Sequence, residues 1–179
     1  VNFLDVMRER AAQYDAHTKD PAPNVLSYDA ELVLDARSFD PPVNYLLYRI
    51  VPPEDVTIDP LKRPFVIVDP RAGQVSGIGG FKADSEVGVA LKAGPPVWFI
   101  GFLPEPVPGQ TILDVTNAQA TFLETVVARH PEAEGKPCVI GNCQAGWAVM
   151  ILAALRPELF GPIIVPGTPL SYWAGVHGK

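Results

Sequence analysis

The stretch KPCVIGNCQAGWAVMILAALRPELF, residues 136–160, decides how the rest of the chain is read. Cys138 to Ile140 is a short apolar run behind a proline, the pattern of a strand buried on both faces of a parallel sheet. Gly141-Asn142-Cys143-Gln144-Ala145-Gly146 reads as a tight turn. Trp147 to Leu155 has no polar residue and stops at Arg156-Pro157, so a buried helix is predicted there. Strand, sharp turn bearing a nucleophile, then helix is the pattern of a nucleophile elbow, here with Cys143 at its apex.

The small residues follow from that geometry. A side chain thrown clear of the sheet on a strained turn forces the residues two before and two after it together. Gly141 and Ala145 meet that demand, and Gly146 lets the helix approach the sheet. A thiol at a helix N-terminus sits in positive potential, which favours the thiolate. The bland alternative is a cysteine that only packs, since free cysteine is among the most buried residue types. The surrounding strand and helix favour the reactive reading.

Around this centre lies a chain of 179 residues with 47% hydrophobic content, enough for one full core. Its net charge of −6 and lack of a basic run offer no phosphate footprint, so no nucleic-acid partner is expected. No apolar stretch reaches the roughly 18 residues of a transmembrane segment. The two cysteines, Cys138 and Cys143, are five residues apart, about 16 Å along an extended strand. A disulfide needs its Cα atoms within about 7 Å, so two free thiols and a cytoplasmic setting are expected. Two cysteines and three scattered histidines make no metal-ligand spacing, and neither a metal nor another cofactor is expected.

From the N-terminus, residues 1–22 read as a helical segment, with Phe3, Leu4, Met7 and Ala11 along one side from Asn2 to Thr18. Residues 23–179 read as one α/β domain. Alternation puts Leu26, Tyr28, Ala30, Leu32 and Leu34 on one face of a half-solvated strand. Val43 to Val51 is predicted to pair with it in antiparallel fashion across Asp40-Pro41-Pro42. From Pro64 onward strands and helices alternate, the mark of a parallel sheet. Predicted strands are Phe65–Val68, Val97–Leu103, Cys138–Ile140 and Ile163–Val165. A helix capped by Asp84 is expected to run to Lys92 and close at Gly94. Thr111 and Asp114 form a capping box for another, with Ile112, Val115, Ala118, Phe122 and Val126 facing the core and His130-Pro131 ending it.

The glycine-rich segment from Asp69 to Lys82 fits neither phosphate-binding pattern, because Lys82 is followed by Ala83 and the glycines are wrongly spaced. Its alternative use is an oxyanion hole. Arg71 or Ala72 would supply one N–H, since Pro70 has none, and Gln144, just after the nucleophile, would supply the other. A plain turn is the third reading.

Five runs resemble one known group: RPFVIVDPRAG (63–73), GIGGFKADSE (77–86), GFLPEPVPGQT (101–111), IGNCQAGWAVM (140–150) and PLSYWAGV (169–176). They are similar to the polyhydroxyalkanoate synthases, most closely to an uncharacterised bacterial family of poly(3-hydroxyalkanoate) synthetase-like proteins, over roughly Val25 to the end. The resemblance implies the N-terminal portion of an α/β-hydrolase fold: an antiparallel strand pair, then parallel strands with the elbow. It implies an acyltransferase with a Cys-His-Asp triad, in which Cys143 takes a 3-hydroxyacyl group from coenzyme A as a thioester. An acyl-CoA or other acyl thioester would be the substrate. A cysteine hydrolase of thioesters or lactones, and a non-catalytic binding protein associated with polyester granules, are the other readings. Two departures stand out: Ala145 replaces a glycine of the synthase box, and Gln74-Val75-Ser76 stands where a His-Gly pair is expected.

In this fold the acid and the histidine follow the nucleophile. After Cys143 come only Glu158, at the foot of the elbow helix, and His177, too early for the role; His17 and His130 precede the elbow. The triad is therefore expected to be completed elsewhere, and the chain to be a fragment that is inactive alone. The rest of the polypeptide, or another chain, is expected to cover an open sheet edge at Ile163–Val165.

Overall fold

A computed structural model describes residues 2–19, 28–70, 85–171, 173–175 and 178. Their centre is a six-stranded sheet: β1 (Ala30–Asp35), β2 (Tyr45–Ile50), β3 (Phe65–Val68), β4 (Val97–Phe102), β5 (Cys138–Gly141) and β6 (Ile163–Ile164). The strands lie in the order β1-β2-β4-β3-β5-β6. β2 runs antiparallel to both β1 and β4, whereas β4, β3, β5 and β6 are mutually parallel. This is the predicted antiparallel pair followed by four parallel strands.

Four α-helices accompany the sheet in the described residues: α1 (Asn2–Lys19), α2 (Glu86–Lys92), α3 (Ile112–Arg129) and α4 (Gln144–Leu155), with two short 3₁₀ turns at Ala36–Ser38 and Pro157–Leu159. The α3 and α4 helices cover one face through Val115, Phe122, Leu123, Val149 and Leu152, packed on Val66, Val68, Trp98 and Val139. The short α2 helix covers the other, where Val87 and Leu91 meet Ile67, Phe99 and Ile140. Successive strand residues point to opposite faces, so the continuously apolar runs of β3, β4 and β5 supply both cores at once.

Local chemistry accounts for the helix ends. Thr111 Oγ1 accepts from the Asp114 N–H at 3.2 Å, and Asp114 Oδ2 accepts from the Thr111 N–H at 2.8 Å, the expected capping box. The α2 cap differs from expectation. Ser85, not Asp84, is the N-cap, its Oγ accepting from the Gly88 N–H at 3.1 Å; Asp84 lies outside the described residues. Gly94, at φ +85°, closes that end as predicted.

Three patterns read from the sequence are corrected. In β1 the register shifts between Leu32 and Leu34. Such a slip moves side chains to the opposite face, so Tyr28 and Ala30 pack on one core, Val33 and Leu34 on the other, and Leu32 is exposed. Leu26 falls outside the described residues. Ile112, assigned to the apolar face of α3, sits in its first turn, exposed at the lip of a cleft. The α4 helix is apolar all round but buried on one flank only, leaving Met150, Ile151 and Leu155 exposed among the described residues. The apolar side chains Phe3, Leu4 and Met7 of α1 are likewise exposed. Among the described residues, no helix is long and apolar enough to cross a membrane.

Candidate functional site at the turn between β5 and α4

The β5 strand delivers the chain to Asn142 and Cys143, and α4 leaves from Gln144. Cys143 has φ 51° and ψ −125°, the one non-glycine residue with positive φ among those described. Holding a residue with a side chain there costs on the order of 1–3 kcal/mol, so the surroundings must impose it. They do so through hydrogen bonds on both sides. The Cys143 N–H donates to the Pro166 carbonyl at 3.1 Å, the Ala145 N–H to Asn142 O at 3.0 Å, and the Gly146 N–H to Cys143 O at 3.1 Å. The Gln144 N–H, in the first position of α4, has no backbone partner among the described residues.

Close packing allows little else at the turn. A Cβ on Gly141 would stand 2.9 Å from the Gly146 Cα and 2.9 Å from Val149 Cγ2. A Cβ on Gly146 would run into the Thr168 side chain and lie 2.6 Å from the Gly141 carbonyl oxygen. Ala145 is completely buried. The two glycines are therefore each other's reason: the strand end and the first turn of the helix touch through bare backbone. Ala145 faces that contact with its carbonyl, 3.0 Å from the same Gly141 position.

Three groups that sequence reading did not single out also hold the turn. Pro166 takes the Cys143 N–H, and Thr168 Oγ1 donates to the Gly141 carbonyl at 3.2 Å, so the segment after β6 braces the elbow. From the opposite core, Asn142 Nδ2 donates to Glu86 Oε1 at 3.1 Å. Burial raises the Glu86 carboxyl above the usual carboxylate range, and the Asn142 hydrogen bond only partly opposes it. Its second oxygen, Oε2, is enclosed without a hydrogen-bond partner among the described residues. Glu86 lies 56 positions before Asn142, and no spacing rule joins them.

The predicted site residues separate as follows. Cys143 is half-buried at the apex with a free thiol, and Gln144 is exposed beside it. Arg71 and Ala72 lie outside the described residues, as does His177; of His17 only the backbone is described. Cys138 is buried inside β5, where desolvation pushes its thiol up despite the opposing charge of Arg63. Glu158 lies beyond the far end of α4, a helix about 18 Å long, and its carboxylate is held low by Arg156 at 2.5 Å. His130 caps the end of α3, and Trp98 Nε1–H donates to its Nε2 at 3.0 Å. It lines a cleft with Pro64 and Pro137, which precede β3 and β5, so it sits at the opposite end of the sheet from Cys143. Of the described groups, neither Cys138, Glu158 nor His130 is brought to the thiol.

Two clefts flank the elbow. One, of about 240 Å³, lies between the start of α3 and Trp147 of α4 and is lined by Asn44, Gln110, Thr111 and Thr116. Gln110 rigidifies its rim: Nε2 donates to Asn44 Oδ1 at 2.8 Å, and Oε1 accepts from the Asn44 N–H at 3.1 Å and the Val107 N–H at 3.0 Å. The other, of about 370 Å³, is apolar, with Glu86, Val89, Ile140, Ile164 and Pro166 in its walls. Among the described residues, no three His, Cys, Asp or Glu side chains converge as metal ligands.

A family model described as "Protein of unknown function (DUF3141)" matches residues 1–179. An "Uncharacterized protein in ackA 5'region" of Rhizobium meliloti is 73% identical over 177 residues. That match takes in 99% of this chain but 24% of the relative, so the chain spans about a quarter of that protein's length. Among solved structures, a CIB-like hydrolase from Thermoplasma acidophilum superposes with a TM-score of 0.53 at 12% identity, over 80% of this chain and 64% of that one. An acetyl xylan esterase from Aspergillus awamori gives 0.52 at 18% identity, over 76% and 51%. An α/β serine hydrolase from Xanthomonas campestris gives 0.50 at 19% identity, over 88% and 69%. With the strand order and the turn described above, these likenesses identify a partial α/β-hydrolase fold.

Proposed function

Starting from a chain that belongs to the DUF3141 family and has an α/β-hydrolase fold, we propose that it carries the nucleophile of an acyl-transfer site. In this reading Cys143 takes a 3-hydroxyacyl group from coenzyme A, in the manner of the polyhydroxyalkanoate synthases that the sequence resembles. The observation that carries it is the backbone of Cys143, held at φ 51° between a parallel strand and a helix. A merely packed cysteine has no need of a conformation that side-chain-bearing residues rarely adopt.

The chemistry follows from that placement. The Cys143 thiolate attacks the thioester carbonyl and forms a tetrahedral oxyanion. The Gln144 N–H, at the start of α4 and without a backbone partner among the described residues, is positioned to donate to it. Collapse re-forms the carbonyl, breaks its bond to the coenzyme A sulfur and leaves the acyl group on Cys143; the departing thiolate takes up a proton. A histidine and an acid are required to activate the thiol and the acceptor, and we place them in sequence outside these 179 residues, for which a relative of which the chain spans about a quarter has room.

The test is intact-mass spectrometry of the full polypeptide after incubation with 3-hydroxybutyryl-CoA. A covalent hydroxyacyl adduct on Cys143, absent in Cys143→Ala, is the expected result. Release of free hydroxy acid instead of oligomer identifies the acceptor as water and makes the protein a thioester hydrolase. No adduct and no release overturns the catalytic reading in favour of a binding protein of hydrolase fold.

A further inference from the structure

We propose that Glu86 is a positioning residue for Cys143, acting through the side chain of Asn142. This rests on Cys143 being the reactive group. Glu86 is the first residue of α2, on the face of the sheet opposite α4, and its Oε1 accepts the Asn142 Nδ2 hydrogen at 3.1 Å. Asn142 is the residue at which the chain leaves β5 for the strained apex, so its side chain is the lever nearest to the Cys143 backbone. With Pro166 gripping the Cys143 N–H from the β6 side, the turn is clamped from two elements that share no sequence neighbourhood.

The energetics argue that Glu86 is not there for stability. One of its oxygens is enclosed with no partner among the described residues, and the other makes a single side-chain hydrogen bond. The neighbours in its cleft are apolar: Val89, Ala90, Ile140, Ile164 and Pro166. A carboxyl group buried in such company costs free energy that an apolar side chain of similar size would not, and the α2 N-terminus returns only part of it. Burial keeps the carboxyl above its ordinary range, which records the same cost. What the carboxyl supplies in return is a directed acceptor for Asn142. A hydrogen bond of this kind is comparable in size to the backbone strain it would hold in place.

The experiment measures the rate at which iodoacetamide modifies Cys143 in the full polypeptide, by peptide mapping, alongside the melting temperature. Glu86→Ala is expected to slow Cys143 modification on the order of tenfold, the equivalent of one such hydrogen bond. Glu86→Gln is expected to keep the wild-type rate, because its amide oxygen accepts the same bond. Asn142→Ala, which leaves the carboxyl in place, should reproduce the slow rate, and the double variant should be no slower than either single one. A purely structural Glu86 would lower the melting temperature while leaving the rate unchanged, and that result overturns the inference, as would independent, multiplying effects of the two substitutions. Should Glu86→Ala fail to fold, the rate in Asn142→Ala decides by itself. A wild-type protein in which Cys143 resists modification altogether would instead remove the proposed function.

Discussion

Thr168 occupies the space that a side chain on Gly146 would need, its Cγ2 2.5 Å from where the Cβ would be built. The Gly141 carbonyl oxygen closes the other side at 2.6 Å. Gly146→Ala should therefore destabilise the protein by about 1–3 kcal/mol, the ordinary cost of overpacking, measured by denaturant unfolding. Adding Thr168→Ala should recover only part of the loss, because the backbone oxygen cannot retreat without moving β5. Full recovery would mean that the turn is less tightly closed than the packing of Gly141 on Gly146 indicates.

The two thiols should differ sharply in reactivity. Cys138 is 3% exposed, and burial holds its thiol above the ordinary range, so it stays protonated and shielded at neutral pH. Cys143 is half-buried at the turn. Alkylation of the folded protein followed by peptide mapping is expected to label Cys143 first and Cys138 only on unfolding. Faster labelling of Cys138 would contradict the assignment of Cys143 as the reactive thiol.

His130 makes stability fall with acid. Desolvation, followed by the nearby charges of Arg129 and Arg49, lowers its pKa below the unfolded value of 6.5. The unfolded chain then binds the proton more readily than the folded one. The contribution is therefore fully present above about pH 6.5 and is lost as pH falls from there through the folded pKa. Protonation also destroys the acceptor for Trp98 Nε1–H. His130→Gln keeps an acceptor but cannot titrate. Its melting temperature should fall less than that of the wild type between about pH 7.5 and pH 5. Parallel curves would show that His130 does not couple folding to pH.

Among the described residues the sheet order ends at β6, a strand of two residues whose Ile164 is 44% exposed. Between Pro162 and Pro166 this edge is apolar and carries no charge, and such an edge invites pairing with another chain. We propose that a further segment of the longer polypeptide covers it. Residues 1–179 expressed alone are expected to self-associate in sedimentation velocity, while the full polypeptide is not. A monodisperse fragment that unfolds cooperatively would show that β6 needs no cover.

Alternating apolar runs, the proline stop at Arg156-Pro157 and the Thr111–Asp114 box are local features, and each made its element legible before any contact was known. So was the elbow, because the steric demands of a strand-to-helix turn fall on residues within a few positions of Cys143. The face-switch in β1 was not legible, since a register shift is settled by pairing with β2 and leaves the alternation intact. Nor was the exposed flank of α4, because hydrophobicity records what a helix could bury and says nothing of which neighbours arrive. The groups that brace the turn, Glu86 from α2 and Pro166 and Thr168 from beyond β6, were decided by tertiary structure alone. They lie 56, 23 and 27 residues from their partners, and only the parallel sheet, by setting the ends of β3, β5 and β6 side by side, brings them to one place.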